Sequence, residues 1–149
     1  DETELKIMQA EGLGFLQAIK GSLSGGNEEA ANKLQELFDF SQTDAVLINP
    51  EEVSNLFTQA FIGKITSYHE KAAVSLEEGK VTEARVQAME GNVFLKDIEL
   101  ALNEKLGEEK TTELLDSAQK WYEAITAENA EEAAKHSEAV VPVLTSVVK

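Results

Sequence analysis

Glu78-Gly79-Lys80-Val81-Thr82-Glu83-Ala84 is a turn followed by the opening of a helix. Gly79 has the conformational freedom to end one helix, and the acidic, alanine-containing stretch after it suits the first turn of the next. The arrangement recurs in diverged form at Gly25-Gly26-Asn27-Glu28-Glu29-Ala30-Ala31 and at Glu128-Asn129-Ala130-Glu131-Glu132-Ala133-Ala134. Turns of this kind make the chain a series of helical hairpins. The expected fold is all-α, an antiparallel helical bundle of about five to six helices.

Hydrophobic spacing fills in the helices between these turns. Leu5, Met8, Gly12, Phe15 and Ile19 recur at intervals of three and four, which predicts an amphipathic first helix that buries this stripe, with Gly12 and Gly14 as points of close contact. Ala30, Ala31, Leu34, Leu37 and Phe38 predict a short second helix. Ala45-Val46-Leu47-Ile48 is the one stretch able to pair as a short strand. Asn49-Pro50-Glu51-Glu52 then combines an N-cap, a first-turn proline and first-turn acids, so a long third helix starts there and carries Val53, Phe57, Phe61, Ile65, Tyr68, Ala72 and Leu76. A fourth helix buries Ala84, Ala88, Gly91, Leu95, Ile98 and Leu102 and closes at Gly107. Leu114, Ala118, Trp121 and Ile125 mark a fifth, and His136, Val140, Val143 and Val147 a sixth, in which Pro142 predicts a kink or break near Glu138.

Composition narrows the functional classes. A chain of 149 residues is the size of one domain, expected to span 1–149. Thirteen basic against 28 acidic residues, a net charge of −15, argues against nucleic acid or an anionic membrane surface as partner. With no cysteine there is no disulfide, thiolate metal site, iron–sulfur cluster or covalently attached c-type haem. No apolar run approaches the roughly 20 residues of a membrane span. The chain opens at Asp1, as removal of a signal segment or excision from a longer chain would equally leave it, and the expected location is extracytoplasmic, in the periplasm or on the cell surface.

The two histidines, His69 and His136, are the first candidates for chemistry. His69 lies in Tyr68-His69-Glu70 at the border of an aromatic helix face, and His136 follows Glu132 by one turn, a spacing at which carboxylate and imidazole can share a cation. The candidate cofactor-binding residues are therefore His69, His136, Tyr68 and Trp121, and the candidate metal ligands are His69, Glu70, Glu132 and His136. Facing histidines would suit haem or a mixed metal site. Aromatic residues at helical spacing are more often core, the histidines read more simply as a packed boundary residue and a helix-surface contact, and the acidic repeat Glu83, Glu90 and Asp97 reads most simply as a solvated face. No Glu-x-x-His pair, phosphate loop or nucleophile–base pair is visible, so no enzyme is expected.

From Ala72-Ala73-Val74-Ser75-Leu76-Glu77-Glu78-Gly79-Lys80-Val81-Thr82-Glu83-Ala84 through Ala88, Phe94 and Glu99, the chain resembles the extracytoplasmic helical domain of bacterial high-affinity iron permeases. The resemblance covers residues 65 to 125. It lacks the Arg-Glu-x-x-Glu motif of the permease's membrane helices, so what it implies is an exported helical module in a metal-uptake setting. The expectation is a bundle that binds a small ligand, with iron or haem leading. The alternative is a structural or protein-interaction module with no ligand.

Overall fold

The computed structural model describes residues 1–148. They form an all-α structure of seven helices without a strand: α1 (Glu2–Ser24), α2 (Glu28–Phe38), α3 (Pro50–Glu77), α4 (Val81–Asp97), α5 (Glu99–Leu106), α6 (Glu108–Thr126) and α7 (Ala130–Val147). The count exceeds the expected five to six because the anticipated fourth helix is divided at Ile98, whose ψ of 9° interrupts the helical path. Where the sequence suggested one domain over 1–149, the contacts group into two compact units, Asp1–Gly63 and Lys64–Lys149, and the division falls inside α3.

The first unit is built on α1, α2 and the opening turns of α3. Its core is Leu16, Leu23, Ala30, Ala31, Leu34, Leu56 and Ala60. This corrects the face assigned to α1: Met8 and Phe15 of the expected stripe are about 60% exposed, and Leu5 is exposed as well. The inward line is Gln9, Leu16 and Leu23, each seven residues from the next. Gln9 is buried and its amide nitrogen donates to the carbonyls of Leu37 (3.1 Å) and Thr43 (2.9 Å), tying α1 to the end of α2 and the loop behind it. Burial of a satisfied polar group is cheap, so hydrophobic spacing alone misplaced the face. Of the two glycines expected at close contacts, Gly12 abuts the Phe38 ring and Gly14 faces open space. Ala45–Leu47 forms a single 3-10 turn in place of a strand, and Asn49 caps α3 as expected, its side-chain oxygen accepting from the Glu51 amide at 3.0 Å.

In the second unit small residues surround one large one. Ala72, Ala84, Ala88, Ala124 and Ala133 pack with Ile125 about Trp121. The expected α4–α5 line of Ala84, Ala88, Gly91, Leu95, Ile98 and Leu102 is buried throughout. Gly91 permits the approach, since a Cβ there would lie 3.2 Å from the Tyr68 Cβ and 3.4 Å from the Trp121 ring. Of the kink or break expected near Glu138, the break does not occur: α7 continues through Pro142. Val140 and Leu144 on either side of the proline are fully buried, and their packing offsets the roughly 3 kcal/mol that a helix-interior proline costs.

The α3–α4 and α6–α7 turns share one hydrogen-bond pattern. After α3, Lys80 N donates to Ser75 O (2.8 Å) and Gly79 N to Leu76 O (3.1 Å), with Gly79 at φ 73°. After α6, Asn129 N donates to Ala124 O (2.9 Å) and Glu128 N to Ile125 O (3.1 Å), with Glu128 at φ 59°. Both are Schellman caps, but Glu128 occupies the left-handed position that glycine fills at 79. A side chain there costs about 1–2 kcal/mol, partly offset by the extra entropy glycine loses on folding. Arg85 Nη2 reaches Glu128 at 3.3 Å in an exposed pair and keeps a 2.8 Å bond to Thr126 O that does not depend on residue 128. Glu128→Gly is therefore expected to stabilise the protein by about 0.5–1 kcal/mol in urea denaturation. A loss of stability would show that the ion pair outweighs the backbone strain.

Candidate functional site

Residues Thr66, His69, Glu70, Ala73, Leu76 and Glu77 recur at three- and four-residue intervals and form one face of α3. Ala130, Ala133, Ala134, Ser137, Glu138 and Val141 do the same on α7. With Trp121 and Ile125 of α6, these two faces line a half-open cleft of about 430 Å3. Ala73 and the three alanines of α7 leave the space unfilled because none has an atom beyond Cβ.

Among the described residues His69 is the one strongly buried ionisable group, 3% exposed. Its ring stacks on Trp121, with centroids 3.6 Å apart and planes 10° from parallel. Nδ1 and the Ser137 hydroxyl lie 2.9 Å apart and hydrogen-bond, linking α3 to α7. Nε2 is buried and has no partner. With Nδ1–H donating to Ser137, Nε2 presents a lone pair; in the other tautomer it presents an unpaired N–H. Either way an unsatisfied polar atom is held in an apolar wall, a state that costs about 1–3 kcal/mol and is relieved by any group able to bond it.

The candidate residues separate into two sets. His69 and Trp121 are brought together, and Glu70 lines the cleft beside them. Tyr68 does not line it: its ring stacks on Phe94 at 5.9 Å, with the Lys64 and Lys71 ammonium groups 5.0 and 5.9 Å from its centroid. Burial, then a hydrogen bond with Glu90, pushes its phenol up from 10. His136 is also outside the cleft lining, and its Nε2 lies 3.4 Å from Glu132, whose carboxylate also accepts from Lys135 at 3.2 Å. The metal set of His69, Glu70, Glu132 and His136 is thus not assembled: among the described residues no group of three or more His, Asp or Glu side chains is placed to hold a metal ion. The physical reason is the angular step of a helix, which turns His136 and the cleft-facing Ser137 in different directions on α7.

Spacing missed Ser137, whose bond orients His69, and the alanine faces that create the volume. Ala130, Ala133, Ala134 and Ser137 stand at helical spacing and are all small, a pattern that admits a close neighbour, as at Ala133 beside Trp121, or leaves volume, as at Ala134.

Burial pushes the His69 imidazole down from 6.5 to about 3. Between these values the unfolded chain is protonated and the folded chain is not. The contribution to stability is complete above 6.5 and is lost as pH falls toward 3, up to about 5 kcal/mol in all. His69→Leu removes the titrating group. Unfolding free energies from urea titrations between neutral pH and about 4 should fall more steeply in the native protein than in this variant, by up to about 1.4 kcal/mol per pH unit. Parallel slopes would mean that the imidazole titrates normally and is not desolvated.

No protein-family model, curated protein or solved structure matches the chain, so the functional reading rests on the chemistry of this cleft.

Proposed function

We propose that the second unit is a non-enzymatic binding module that takes a small, largely apolar ligand bearing one hydrogen-bonding group into the cleft of α3, α6 and α7. The observation that carries this reading is the buried, unpartnered Nε2 of His69, a residue in the wall of a cleft whose inner surface is mostly apolar and whose charged lining groups are exposed glutamates. A volume of about 430 Å3 falls within the range of small-molecule sites. The neutral imidazole is the buried polar group of the wall, and Trp121, Ile125 and Val141 supply apolar surface. An extracytoplasmic, metal-uptake setting enters only through the composition and the resemblance at residues 65 to 125. Haemin and iron salts therefore belong in the test beside organic ligands.

Trp121 is the only tryptophan and lines the cleft, so its emission reports occupancy directly. Cyclohexanol and adamantanol are expected to change that emission saturably and to raise the unfolding temperature in proportion to concentration over Kd. Ala73→Leu and Ala134→Leu, which fill the space from exposed backbone positions, should abolish both effects without destabilising the fold. Bare ferrous and ferric ions should not bind stoichiometrically. Stoichiometric haem binding lost in His69→Leu would instead restore haem as the ligand, and silence toward every probe would reject the cleft as a binding site.

A second reading, a protein-interaction module, is favoured by one observation in the first unit. Ile7, Met8, Phe15 and Phe40 are all more than half exposed. Residues 1–63 carry eleven Asp and Glu against three Lys. A basic amphipathic helix is the partner that matches both features. A synthetic Lys/Leu amphipathic peptide should bind, and the uncharged double change Met8→Ser with Phe15→Ser should weaken it by about tenfold or more. Unchanged affinity would reduce the attraction to net charge alone.

A further inference from the structure

The cleft has a charge pattern as well as a shape. Glu70 and Glu77 stand seven residues apart on the α3 face, and Glu138 stands on the α7 face; all three are exposed. No lysine or arginine is among the side chains lining the cleft. The remaining ionisable lining group, His69, is held neutral by burial, so it supplies no positive charge to an anion. An incoming carboxylate or phosphate would meet carboxylates at the mouth and no cation at the floor, inside a chain whose net charge is −15.

Resting on the ligand-site reading above, we propose that the cleft selects organic cations: amines whose apolar body fills the alanine-lined space against Trp121 and whose ammonium group is balanced by Glu70, Glu77 and Glu138. The unpartnered Nε2 of His69, buried and in the wall of the same cleft, is the independent sign that a ligand group belongs there. With Nδ1–H turned to Ser137, Nε2 is an acceptor, so the wall sets no hydrogen-bond donor or cation against an incoming ammonium group. Carboxylates in water attract weakly one by one but act together on a single ammonium group, and their attraction falls with salt. The apolar contacts do not depend on salt in that way, which separates the two contributions.

Three probes with one body and one site of change isolate the charge: adamantane-methylamine, adamantane-methanol and adamantane-carboxylate, each titrated into the full chain and followed by Trp121 emission. The amine is expected to bind about tenfold more tightly than the alcohol, and the carboxylate more weakly than either. Raising the ionic strength should shrink the advantage of the amine and leave the alcohol unchanged. The triple variant Glu70→Gln, Glu77→Gln, Glu138→Gln should bring the amine to the affinity of the alcohol. Its exposed substitutions leave the core intact, and binding of the alcohol reports that the cleft is still formed. Equal affinities for the three probes, or tightest binding of the carboxylate, would overturn the charge selectivity and leave the ligand site standing. Binding of none of them, the alcohol included, would overturn both.

Discussion

An imidazole stacked on an indole, with one nitrogen bonded and the other not, sets the terms for the second unit. The His69–Trp121 stack and the Nδ1–Ser137 bond join side chains from α3, α6 and α7 at one point. The stack needs a flat surface on each side, so the rings fix one another's orientation. The hydrogen bond then fixes which nitrogen is turned to α7. What remains, Nε2, has its direction determined by the other contacts and no partner to meet. A fully packed core would have satisfied or replaced this group, because a leucine at 69 would avoid the desolvation entirely. Retaining a buried polar ring with one nitrogen unsatisfied is the physical signature on which the binding reading stands.

Around this point the helices are spaced by alanine. Five alanines pack with the core around Trp121, and a further set on the exposed faces of α3 and α7 leaves the cleft open. The same residue type thus has two consequences. Where helices touch, as at Ala84 and Ala88 opposite α6, it lets backbones approach. Where no neighbouring side chain reaches across, as at Ala73 and Ala134, it leaves volume. Gly91 extends the first effect by letting α4 come up against both Tyr68 and the edge of the indole.

The turns and caps were the most legible part of the chain, because their physics is local. Asn27, Asn49 and Asn129 accept from the amides that an N-cap should satisfy, at 3.0, 3.0 and 3.2 Å. Gly79 takes the left-handed conformation its position requires. Faces were less legible where a polar group is inside: Gln9 broke the apolar pattern of α1, and the sequence carries no mark that two distant carbonyls would satisfy it. The division of the long fourth helix at Ile98 has no glycine or proline to announce it. In the candidate site, His69, Glu70 and Trp121 could be picked out as chemical types, but the pairing of the first with the third depends on helix rotation, as does the exclusion of Tyr68 and His136. Metal-ligand reasoning failed for that reason, since it treated the residue inventory as if it were a geometry.

The floor and the mouth of the cleft answer to different physics, and this is what gives the site a defined chemistry. At the floor, burial keeps His69 uncharged, so under the proposed reading what it offers is directional and short-range, a hydrogen bond without competing water. At the mouth, Glu70, Glu77 and Glu138 are in water, so their contribution is diffuse, screened by salt and sensitive to the sign of a ligand's charge but hardly to its shape. A charged floor would have bound a counter-ion or collapsed onto one of these carboxylates. A neutral mouth would have left the apolar walls to admit any molecule of suitable size. Burial thus holds the imidazole neutral, and Nε2 stays unpaired within the wall.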